Sequence, residues 1–112
     1  RGRASSLKTK VICGGANNQV GEVGADEVLH QPGITYTPDF MVNCGGVIQV
    51  AEEFRSTSQG TSPDLDRARA QTMRVFETTR IVLEGARSAG ITPLAAAQAQ
   101  AQAVVAAAEA AR

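Results

Sequence analysis

The sequence predicts an α/β fold in which a short parallel βαβ-like unit is followed by helices only. Three observations carry this. Two short β-prone stretches, at 8–13 and 34–37, flank a weakly helical one, with glycine-rich breaks between. Everything from Val47 onward has helical spacing. The spacing from one strand to the next is about 23 residues, ample for a crossover that needs a dozen or more.

"KTKVIC" at 8–13 reads as a strand, and "GGANNQ" ends it with good loop formers. Residues 21–31 read as a helix anchored by Val23, Val28 and Leu29, and Pro32-Gly33 stops it. "ITYT" at 34–37 is the second strand, and the crossover is right-handed by the usual rule. Two short strands do not make a stable sheet alone, so they want neighbours. Asp39, after Pro38, is expected to cap the next turn.

A helix over 46–55 carries Val47, Val50, Ala51 and Phe54 on one face, and "STSQGTS" is a loop. Ser62-Pro63-Asp64 gives a cap, a first-turn proline and an acid for a long helix. Leu65, Ala68, Thr72, Val75, Phe76, Thr79, Val82, Leu83 and Ala86 form its apolar stripe, and Gly90 ends it. Thr92-Pro93 opens a last, alanine-rich helix expected to lie on the surface.

The 112 residues carry no net formal charge, and the basic residues are scattered, which argues against a nucleic-acid partner. No apolar run approaches the ~20 residues of a membrane span. The basic start "RGRASSLKTK" lacks the apolar core of a signal peptide. Cys13 and Cys44 read as reduced thiols packed as small apolar groups, which suits a cytoplasmic protein. With one histidine and no paired cysteines the chain offers no metal site. His30 reads as exposed or capping, and Glu52 and Glu53 as a solvated face.

Two stretches carry chemistry: "CGGANNQ" at 13–19 and "NCGG" at 43–46, each following a strand. Ligands of open α/β sheets bind at the carboxyl ends of strands. Asparagine offers a donor and an acceptor there. Gly45 and Gly46 would leave the first turn of a helix bare, with unpaired N–H groups and the positive dipole end toward a ligand. On residue types alone, ordinary asparagine turns and close helix–strand packing explain them as well.

"VICGGANNQV" and "GITYTPDFMVNCGGVIQVAEE", with "GITPLAAA" opening the last helix, resemble the leucine/valine/phenylalanine dehydrogenases of the wider glutamate dehydrogenase superfamily. The likeness covers nearly the whole chain. It implies an incomplete Rossmann-like cofactor domain, residues 1–57, followed by a helical segment, 58–112. The implied activity is NAD-dependent oxidative deamination of a branched-chain or other apolar L-amino acid to a 2-oxo acid and ammonia, in a homo-oligomeric parent.

By that likeness Ala16 and Asn17 lie near the nicotinamide and its ribose, and Asn18 shapes this cofactor-binding loop. Asn43 serves both cofactor and substrate, Gly45 and Gly46 form the close-approach turn, and Val47 and Val50 line the substrate pocket. No catalytic residue falls in the chain: the family's lysines and its G-x-G-x-x-G turn have no counterpart here. The chain is therefore expected to be the carboxy-terminal part of a longer enzyme, inactive alone. The alternative is a truncated, non-catalytic helical interaction module. A product that never folds is a third reading.

Overall fold

Val11–Ile12 (β1) and Thr35–Tyr36 (β2) run parallel, Val11 opposite Thr35 and Ile12 opposite Tyr36. This is seen in a computed structural model that describes residues 6–31 and 33–111; Pro32, expected to help stop the first helix, lies outside them. The Thr35 and Thr37 N–H groups donate to the Lys10 and Ile12 carbonyls, each at 2.9 Å. Both strands are shorter than expected. Each has a single neighbour among the described residues, so pairing fades quickly toward the ends.

The crossover helix α1, Ala25–His30, starts later than the sequence suggested, because Gly24 at φ 77° breaks the helical path. Val23 is thereby left 96% exposed, not an anchor. Leu29 does anchor, forming a small core with Ile34 and Tyr36 against Ile12 and Val20. His30 is exposed, as expected.

After β2 the chain makes an unanticipated single turn, α2, over Asp39–Val42. Pro38 sets its entry, and the Asn43 N–H closes it on the Asp39 carbonyl at 2.9 Å. Helix α3, Gly45–Ser58, runs three residues past its expected end. Its packed face is not the expected one. Val47, Val50 and Phe54 are exposed, while Glu52 and Ser56 are buried.

Glu52 corrects the reading of a solvated acidic face. Its carboxylate meets Arg55 at 2.6 Å, Arg67 at 3.5 Å and the Asp64 N–H at 2.9 Å. The hydrogen bonds from Arg55 and the Asp64 N–H hold its pKa at about 2. This clasp joins α3 to α4, Leu65–Ala89. The α4 cap is Asp64, which accepts the Arg67 N–H at 2.9 Å, so Ser62 and Pro63 stand before the helix.

The α4 stripe buries Val82 and Ala86, while Leu65 and Phe76 stay exposed. Gly90 ends α4 at φ 66°, a left-handed cap that glycine adopts without strain. Thr92 caps α5, Pro93–Ala110, accepting the Ala95 N–H at 3.1 Å. Ala97 is buried beside α4, and α5 is exposed from Gln98 onward. The predicted class stands: two short parallel strands, then helices.

Candidate functional site

The loop leaving β1 folds back on itself. The Gln19 side-chain amide donates to the Ala16 carbonyl at 2.8 Å, and Asn18 takes a left-handed φ of 53°. Gly14 lies beneath the Gln19 amide, where a Cβ would come within 2.5 Å. The chain leaving β2 passes through α2 and reaches Asn43. There Asn43 Nδ2 donates to Asn17 Oδ1 in a short hydrogen bond. The two stretches singled out in the sequence thus meet at the carboxyl ends of the two parallel strands.

That bond uses one donor of Asn43 and the acceptor of Asn17. An acceptor, Asn43 Oδ1, and the Asn17 amide donors remain for a ligand. Beside them, Cys44 begins α3 without a side-chain cap. The first intrahelical bond runs from Ile48 N–H to Cys44 C=O at 3.0 Å, which leaves the first-turn N–H groups free of helical partners.

Gly45 and Gly46 are exposed and outside the left-handed region. A Cβ on either would meet nothing within 4 Å. Neither backbone conformation nor packing within the chain asks for glycine at these positions. Among the described residues no strand packs against these positions, and the turn is bare within the chain.

Beneath the asparagines lies a polar network that sequence reasoning missed. Asp39 is buried; its Oδ2 accepts the Gln19 N–H at 2.7 Å and the Tyr36 hydroxyl at 3.3 Å. It does not cap α2, as expected from its place after Pro38, because it turns toward the β1 loop. Burial, with the charges of Asp39 and Asp26 nearby, pushes the Tyr36 phenol above its ordinary pKa. The one sequence signal for this network was an acid following a strand that ends in tyrosine.

The remaining candidates are dispersed. Ala16 is exposed on the loop, and Val47 and Val50 are 71% and 63% exposed on α3. Cys13 is exposed, not packed, while Cys44 is half-buried with its thiol on the Met41 carbonyl at 3.2 Å. A recess of about 780 Å³ opens beside Asn18, Tyr36 and Asp39, toward the start of α5. No helix among the described residues is long and apolar enough to cross a membrane.

Comparison with known proteins bears on this arrangement. A valine dehydrogenase of Streptomyces virginiae is 44% identical over 91 residues, 81% of this chain and 24% of that protein. A leucine dehydrogenase of Bacillus cereus is 37% identical over 91 residues, 81% of this chain and 23% of that protein. A leucine dehydrogenase of Bacillus subtilis is 53% identical over 47 residues, 42% of this chain and 13% of that protein.

The chain spans about a quarter of the length of the curated relatives it matches. No solved structure matches it. The glutamate/leucine/phenylalanine/valine dehydrogenase profile matches residues 2–112. On that match the chain belongs to the glutamate/leucine/phenylalanine/valine dehydrogenase family.

Proposed function

We propose that this chain forms the nicotinamide side of the cofactor site in an NAD-dependent L-amino-acid dehydrogenase. The reaction is oxidative deamination of a branched-chain amino acid to a 2-oxo acid and ammonia. The observation that carries the reading is the Asn17–Asn43 pair beside a glycine turn whose bareness the chain itself does not require.

The residues fit the group. A carboxamide such as that of nicotinamide presents an acceptor oxygen and two N–H donors, and the asparagine pair offers an acceptor and donors to meet them. Gly45 and Gly46 let a flat ring approach the backbone, and the free N–H groups favour an electron-rich atom such as the carboxamide oxygen. NAD, when bound, supplies the acceptor for the substrate hydride. The chain's own part is positioning: Asn17 and Asn43 orient, and the glycine turn admits.

Val47 and Val50 supply an apolar wall for an aliphatic side chain. Such a wall discriminates weakly, since a methylene is worth about 1–3 kcal/mol. The names of the relatives, valine and leucine dehydrogenases, agree with an aliphatic substrate.

The test is a transplant. The aligned 91 residues replace their counterpart in the S. virginiae valine dehydrogenase. The hybrid is expected to oxidise L-valine with NAD, and Asn43→Ala to lower its kcat by about 10²-fold. A folded hybrid indifferent to Asn43→Ala would contradict the proposal.

One observation favours a second reading, a non-catalytic interaction module. Leu65, Met73 and Phe76 on α4 are 60%, 73% and 72% exposed, enough apolar surface to seat a partner. Stable self-association of the purified chain, with no response to a nicotinamide ligand, would favour it.

A further inference from the structure

We propose that Asp39 is the positioning residue of this site: its carboxylate fixes the β1 loop against the turn after β2, and so sets where Asn17 meets Asn43. The inference rests on the reading above, that the asparagine pair holds the nicotinamide group. Asp39 grips both arms at once. Its side chain accepts the backbone N–H of Gln19, two residues beyond Asn17, at 2.7 Å. Its own carbonyl accepts the backbone N–H of Asn43 at 2.9 Å. Gln19 passes the constraint back through the loop by its bond to the Ala16 carbonyl.

The physical chemistry favours a fixed geometry. Asp39 is 7% exposed, and a buried carboxylate is costly unless hydrogen-bonded. The Gln19 N–H bond, at 2.7 Å, is short and well formed, whereas the Tyr36 contact is longer and weaker. The Tyr36 hydroxyl, anchored in the core by its ring, holds the same oxygen from below at 3.3 Å. The carboxylate is therefore tied to the sheet, the loop and α2 together. No hydrogen bond links its side chain to the Asn17 or Asn43 side chain, so it acts through them by placement.

The experiment uses the 112-residue chain, read by NMR and by titration with nicotinamide mononucleotide. The readouts are the Asn43 side-chain amide protons, which report the bond to Asn17, and the affinity for the mononucleotide. Asp39→Ala is expected to move the Asn43 amide toward the positions of free asparagine and to weaken binding about tenfold or more. Asp39→Asn keeps an acceptor oxygen but a weaker one, and is expected to move both readouts part of the way. Thr92→Ala removes a comparably buried 2.6 Å bond to Asp26 away from the asparagines, and is expected to change neither.

The proposal is overturned if Asp39→Ala leaves the Asn43 signal in place, or if Thr92→Ala moves it as far. Should Asp39→Ala not fold, Asp39→Asn decides: faster exchange of the Gln19 N–H with a partial Asn43 shift supports the proposal, and an unmoved spectrum overturns it. If the unsubstituted chain ignores the mononucleotide, the functional reading fails, while the Asn43 signal still decides the role of Asp39.

Discussion

Gly45 and Gly46 show how a single residue can be placed against the interest of the fold. Helix interiors disfavour glycine, and no described residue touches the space their side chains would fill. Gly46→Ala is therefore expected to raise stability, by up to about 1 kcal/mol in a denaturant titration. The same change is expected to weaken binding of a nicotinamide ligand, because the new methyl occupies the approach. Lower stability together with unchanged binding would contradict this. The glycines and asparagines stood out in the sequence as small and amide residues after strand ends, and Asn17 and Asn43 do meet. The role of Asp39 was not legible, because its main partner is a backbone N–H twenty residues away. A sequence names donors and acceptors but does not show which of them meet.

At the scale of elements, the clasp between α3 and α4 decides which face of α3 is free. Sequence pattern pointed the Val47–Phe54 face inward, yet Glu52 is the residue that packs. Its neighbour Glu53 is exposed, and adjacent helix positions point about 100° apart, so two like residues have opposite fates. The ion pairs of buried Glu52 with half-buried Arg55 and exposed Arg67 go with an apolar face turned outward, where it is available to the proposed substrate. A pH dependence follows. The Glu52 pKa, about 2 in the folded chain, lies below its ordinary value of 4.5. Its contribution to stability is complete above pH 4.5 and is lost as pH falls toward 2. Glu52→Gln is expected to be less stable at pH 7 and to lose less stability than the parent between those limits, as followed by denaturant unfolding. An equal acid loss in both would contradict the clasp. The helix ends were the most legible features: Thr92-Pro93 and Gly90 fall where their chemistry puts them, whereas the α4 cap moved to Asp64 because Glu52 holds its N–H.

The whole molecule is open. Its radius of gyration is 16.6 Å, against roughly 13 Å for a compact chain of this length. The core is correspondingly small, and Leu29→Ala at its centre is expected to cost about 2–4 kcal/mol and to remove the cooperative thermal transition. A cooperative melt surviving that change would show that the helices, not the βαβ unit, hold the chain. By itself the chain is expected to show no turnover of L-valine with NAD, since it contains no G-x-G-x-x-G turn to grip the pyrophosphate. The fold class was legible because the parallel pairing follows from strand spacing and the helices from caps. Which apolar faces stay uncovered was not, since covering depends on partners that a local pattern does not name. The most direct test of the central claim is an NMR titration of the chain with nicotinamide mononucleotide, with adenosine monophosphate as the control. The account predicts that the Gly45, Gly46 and Val47 backbone amides and the Asn17 and Asn43 side-chain amides shift together and saturate, and that the control leaves them unmoved. No response to either nucleotide from a folded chain that self-associates through α4 would contradict it and bring the interaction module forward.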